Sequence, residues 1–176
     1  MNTPDLVIAG HYDFRLVALS IVETLEAALG LVAERDRTAL VATLATEARR
    51  ITFAQHASAG LLAGDGPDVS AFCAIGVPAA TGTAMRPRSI DGTIFTSVIG
   101  KRRPLRLRKR NGIADRLGLP AGQPPISSFL AVPIASATRA HGWLFLSNKL
   151  GTDEFTEADE RVAMALGTIA GVRLEG

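Results

Sequence analysis

Two apolar runs, SSFLAVPIAS (127–136) and HGWLFLSNK (141–149), stand on either side of a short turn at 137–140. Runs of this length, rich in Phe, Leu, Val, Ile and Trp and divided by a few small residues, specify a β-hairpin. A second hairpin is read earlier in the chain. ITFAQHASAGLL (51–62) and VSAFCAIGV (69–77) flank GDGPD, a strong turn signal. Between the hairpins lies an irregular middle: a Gly/Pro/Thr/Ala loop at 78–89, a short helix in IDGTIFTSVIG (90–100), a short LRL strand (105–107), and the proline-glycine loop LGLPAGQPPI (117–126).

Helices flank these strands. Leu16, Leu19, Ile21, Leu25, Ala28, Leu29 and Val32 follow helical spacing over 16–33 and give an amphipathic helix. Asp36 is a suitable N-cap for a second helix running to about Arg50. A last helix is expected from Glu157 to Leu174. Helices, two strands, an irregular middle, further strands and a closing helix make an α+β domain, a central antiparallel sheet with helices packed on it. The chain of 176 residues suits one such domain, and 47% hydrophobic with 20% charged residues is globular composition. No apolar run approaches the ~20 residues that span a bilayer, and no secretory signal is evident. The expectation is a cytoplasmic protein without a membrane span.

The densest polar feature is NKLGTDEFTEADE (148–160), with Asp153, Glu154, Glu157, Asp159 and Glu160 close together. Thr156 and Asp159 fit the spacing of a capping box, and the remaining acids favour the positive end of the helix that follows. A calcium loop would need oxygens at alternating positions around a central glycine, a pattern absent here. The reading is therefore a helix start, not a metal or catalytic site.

These residues also carry a resemblance. Asn148-Lys149, Phe155 and Asp159-Glu160 form the N-K…F-x-x-x-D-E signature of GAF domains, and SFLAVPIASATRAHGWLFLSNK resembles the GAF hairpin. The resemblance implies a salt bridge, Lys149–Asp159, joining the sheet to the last helix as a structural clasp. It also implies a sensory domain over 31–176, preceded by a tail and a dimerisation helix over 1–30. Pro104-Leu105-Arg106-Leu107 followed by GLPAGQPPISSFLAVP is similar to the GAF domains of haem-based gas-sensing histidine kinases. Gln123 stands where those sensors carry their axial histidine. A glutamine amide is a poor iron ligand beside imidazole, which argues against haem, and no other cofactor is assigned.

By the same resemblance, a small ligand would lie between the sheet and residues 78–126. Its pocket candidates are Ile90, Thr93, Phe95, Gln123, Ser127 and Phe129: the two phenylalanines as apolar walls, Thr93, Gln123 and Ser127 as hydrogen-bonding groups. The basic run KRRPLRLRKR offers Lys101, Arg102, Arg103, Arg106, Arg108, Lys109 and Arg110. It reads either as a solvated edge strand or as a patch for an anionic ligand or partner. Aromatic residues for base stacking are missing beside it, which argues against nucleic acid.

No catalytic constellation emerges. His11, His56 and His141 share no ligand spacing, no Gly-x-Ser-x-Gly elbow is present, and Cys73 is the one cysteine. GAF-type methionine sulfoxide reductases rely on several cysteines. The expectation is a non-catalytic regulatory domain, homodimeric through its terminal helices, which binds a small molecule and acts through a downstream signalling protein.

Overall fold

The computed structural model describes residues 20–107 and 116–176. In chain order the elements are α1 (20–33), α2 (Arg37–Thr52), β1 (Ala54–Leu62), β2 (Val69–Ile75), α3 (Ala79–Met85), α4 (Ile94–Lys101), β3 (Leu105–Leu107), β4 (Phe129–Ala135), β5 (Ala140–Lys149) and α5 (Glu157–Glu175). The strands form one five-stranded sheet of order β2-β1-β5-β4-β3, antiparallel throughout. Each expected hairpin is present, and the pairing of β1 with β5, from Ala54↔Lys149 to Leu61↔Gly142, joins them.

Asp36 caps α2 by accepting from the Ala39 N–H at 2.7 Å. The helix continues past the expected strand start at Ile51 because its apolar period does. Leu40, Val41, Leu44, Ala48, Ile51 and Thr52 are all buried, and the Thr52 hydroxyl donates to the Ala48 carbonyl at 2.6 Å. Phe53 then ends it in the left-handed region (φ 53°), so β1 starts at Ala54.

Alternation along the inner strands sorts side chains to two faces. Leu130, Val132, Ile134, Leu144 and Leu146 join Leu31, Leu44, Phe155 and Leu166 in one core, under α1, α2 and α5. Helix α5 rests directly on β4. At Gly167 a Cβ would stand 2.6 Å from the Pro133 carbonyl oxygen, and at Gly171 one would stand 2.3 Å from the Ala135 carbonyl carbon. Phe129, Ala131, Trp143 and Phe145 face the other way. They join Ile90, Phe95, Val98 and Leu117 in a smaller core under α4 and the segment after 116.

Helix α1 buries Ala27 and Leu31 in the first core. Its opposite face carries Ile21, Val22, Leu25, Leu29 and Val32, each more than half exposed. The expected residues 16–19 of this helix lie outside the described residues.

Candidate ligand face and its structural clasps

The smaller core is an aromatic layer. Phe95 stacks on Trp143 with centroids 4.5 Å apart, meets Phe145 edge-on at 5.8 Å, and Phe129 lies 5.5 Å from Phe145. Phe72, from the edge strand β2, adds a tilted contact to Trp143 at 6.4 Å. Gly60 on β1 makes room for the indole, since a Cβ there would lie 2.2 Å from a ring carbon. This layer is roofed by the eight-residue α4, whose Ile94 N–H donates to the Leu117 carbonyl at 3.0 Å.

Of the pocket residues expected from sequence, Ile90, Phe95 and Phe129 come together here, all buried. The three polar candidates are occupied by the fold itself. Thr93 caps α4, accepting from the Phe95 N–H at 3.2 Å while its hydroxyl donates to the Ile90 carbonyl at 2.6 Å. The Gln123 amide donates to the Met85 carbonyl at 3.5 Å. Ser127 is exposed and gives both its N–H (2.8 Å) and its hydroxyl (3.1 Å) to Asn148 Oδ1. Asn148, at φ 60°, also donates to the Pro125 carbonyl and to Gln55, tying the proline-rich loop to β1 and β5.

Trp143 was not among the expected pocket residues. It is fully buried, and its Nε1–H has no acceptor among the described residues. The available signal was its place as the single tryptophan, two positions from Phe145 on one strand face.

At the far end of β5, Lys149 Nζ lies 2.9 Å from the Asp159 carboxylate, both side chains almost buried. The ammonium also donates to the Thr52 carbonyl at 2.6 Å and lies within 6 Å of the Phe53 and Phe155 rings. Asp159 has a second task. It closes the capping box of α5, accepting from the Thr156 N–H at 2.7 Å while the Thr156 hydroxyl accepts from the Asp159 N–H at 3.1 Å. The Lys149–Asp159 pair thus joins the end of α2, the end of β5 and the start of α5.

The basic segment is used in part by the fold. Arg106 pairs with Glu160 at 3.1 Å and donates to the Phe155 carbonyl at 2.9 Å, bracing β3 against α5. Arg102 donates to the Ala137 and Thr138 carbonyls across the β4–β5 turn. Lys101 and Arg103 are exposed, and Arg108, Lys109 and Arg110 lie outside the described residues.

Burial pushes the Cys73 thiol up to about 11, so at neutral pH it is held as the weakly nucleophilic thiol. His56 Nδ1 lies 3.0 Å from the Gly76 carbonyl and His141 Nε2 lies 3.7 Å from Glu175, so these two do not converge, and His11 lies outside the described residues. Among the described residues no three His, Cys, Asp or Glu side chains are grouped to hold a metal ion.

The GAF domain family profile matches residues 34–175 of this sequence. The chain belongs to the GAF domain family. GAF domains are regulatory and sensory modules of signalling proteins. Solved structures share the fold at low sequence identity. The GAF domain from an Acinetobacter phosphoenolpyruvate-protein phosphotransferase matches with a TM-score of 0.72 and 16% identity, over 89% of this chain and 93% of that one. Free methionine-R-sulfoxide reductase from Neisseria meningitidis, solved with its substrate, matches at 0.69 and 18%, over 90% and 89%. The GAF domain of a sensor histidine kinase from Pseudomonas syringae pv. tomato matches at 0.64 and 15%, over 94% and 92%. Among the described residues no helix is long and apolar enough to cross a membrane.

Proposed function

We propose that this GAF domain is a non-catalytic sensory module that takes a small ligand on its aromatic face and passes the outcome to a signalling protein. The observation that carries the reading is the unequal cover of the sheet. One face lies under α2 and α5, of 16 and 19 residues, whereas α3 and α4, of seven and eight, cover the other together with proline-rich loop. A short, interrupted cover opens locally at lower cost than long packed helices, and ligand-binding elements are drawn from such regions. Native mass spectrometry of freshly purified protein tests this. A co-purified small molecule that departs on denaturation is expected; a bare chain mass in repeated preparations counts against it.

Absence of catalysis is part of the proposal, because one GAF-fold neighbour is a methionine sulfoxide reductase. Thiol chemistry needs a thiolate, and burial disfavours one at Cys73, the single cysteine. Incubation with free methionine-R-sulfoxide and dithiothreitol should yield no methionine above the uncatalysed background.

Self-association is supported by α1. A helix apolar on both faces is a buried helix, yet among the described residues the Ala27/Leu31 face is covered while Ile21, Val22, Leu25, Leu29 and Val32 stay exposed. Val22, Leu25, Leu29 and Val32 follow the 3-4-3 spacing of a coiled-coil seam, which fits a parallel homodimer. Light scattering at high micromolar concentration should give a dimer mass, and Leu25→Glu with Leu29→Glu should give a monomer. A monomeric wild-type chain rejects this part of the proposal.

A further inference from the structure

The aromatic face holds one polar group that the fold leaves without a partner. Trp143 Nε1 is buried with no acceptor among the described residues. Indole is a donor only, and a buried donor left unmade bears its full desolvation penalty. Such a group in a folded chain calls for an explanation. The other buried atom in this position, His141 Nε2, faces a carboxylate, since Glu175 Oε1 lies 3.7 Å away. Trp143 has apolar company instead: Phe95 stacked at 4.5 Å, Phe72 at 6.4 Å, and the β1 backbone at Gly60 against its ring. These contacts fix the ring, and so the direction of its N–H, before any ligand arrives. Preorganisation of this kind removes an ordering cost from binding.

Elimination among the pocket's polar groups points the same way. Thr93, Gln123 and Ser127 each donate to a protein acceptor already. Apart from His141 Nε2, the indole N–H is the fully enclosed side-chain polar atom left without a partner among the described residues.

We propose that Trp143 Nε1–H is the donor by which the aromatic face recognises its ligand. The ligand class that follows is a small, flat, mainly apolar molecule bearing one acceptor oxygen, of the aryl ketone or aryl amide type. A planar body suits walls made of ring faces and edges, and the oxygen meets the orphan donor. This inference rests on the small-ligand reading above and adds the residue and the ligand chemistry.

The test uses acetophenone and α-methylstyrene, which share a shape and differ in C=O against C=CH2. Trp143 is the one tryptophan, so its indole ¹H–¹⁵N cross-peak reports on the site without ambiguity. Acetophenone should move the indole proton downfield and bind about tenfold more tightly than α-methylstyrene, the size expected when one buried donor is satisfied. In Trp143→Phe the preference should fall to within about twofold, because acetophenone then loses the donor that α-methylstyrene never engages. The cross-peak shift in the wild-type protein stands as evidence even if that variant does not fold. Equal binding of both probes with an unmoved indole proton overturns the role of Trp143 and leaves the small-ligand reading standing. Failure of both probes to bind overturns the ligand class. If native mass spectrometry also finds no adduct, the small-ligand reading falls with it.

Discussion

The two faces of the sheet draw on the same strands but differ in how they are closed. On the first, α2 and α5 run along the sheet, bury Leu44, Leu61, Leu146 and Leu166 completely, and are joined to the strand ends by Lys149, Asp159 and Arg106. On the second, large rings fill the space and the roof is short helix and loop. The residues that identify the family by sequence, Asn148, Lys149, Phe155 and Asp159, belong to the closure of the fold. The proposed ligand chemistry lies on the other face. The family signature and the proposed ligand face therefore lie in different places, and substitutions should separate them.

The largest effect should come from the clasp. Asp159→Ala strands the Lys149 ammonium and opens the capping box, and breaking a buried pair in this way costs about 3–5 kcal/mol. Urea denaturation checks it, and a loss below about 1 kcal/mol would place the pair among ordinary surface bridges. Next, truncation should weigh unequally on the two faces. Leu44→Ala, enclosed by long helices, should cost about 2–5 kcal/mol, while Leu117→Ala, in a covering loop that can settle into the space, should fall at the low end or below it. Equal costs would break the comparison. Thr156→Ala, which removes the hydroxyl from the cap of α5, should cost about 1 kcal/mol and leave probe binding on the aromatic face unchanged.

The smallest effect concerns pH and the turn between β4 and β5. Burial holds His141 below its ordinary value of 6.5, with Arg139 and Arg37 adding to the shift and Glu175 opposing it. Glu175 is itself held low by the Ser136 and Thr138 hydroxyls. For the histidine the folded state resists a proton that the unfolded chain accepts near 6.5. Stability is therefore fully present above 6.5 and declines as pH falls through 6.5 toward the lower folded-state value. Thermal unfolding between pH 7.5 and 5.5 should show this decline, and His141→Phe should flatten it.

Much of this architecture is legible in the sequence because its signals are local. Turn residues at GDGPD, caps at Asp36 and Thr156, and strand runs between 127 and 149 specify the elements on their own. The helix-to-strand border at Ile51–Phe53 was not legible: Ile51 and Thr52 are β-branched and read as strand, while tertiary burial keeps them helical. The basic run reads as a charged surface. Yet Arg106 and Arg102 turn to carbonyl oxygens that are distant in sequence, which local composition does not reveal. Thr93, Gln123 and Ser127 read as pocket groups by their chemistry, but in the fold each gives a donor to a protein acceptor. Trp143 does not stand out in the sequence, because an apolar strand hides whether an indole N–H meets an acceptor.

The central claim is that one sheet carries a closed scaffold face and an openable ligand face. Native-state hydrogen exchange measures this most directly, amide by amide. Amides of β1, β4, β5, α2 and α5 should exchange only through global unfolding, whereas those of α3 and α4 should exchange through openings at least ~2 kcal/mol lower in free energy. Protection of α4 equal to that of β5 would contradict the account.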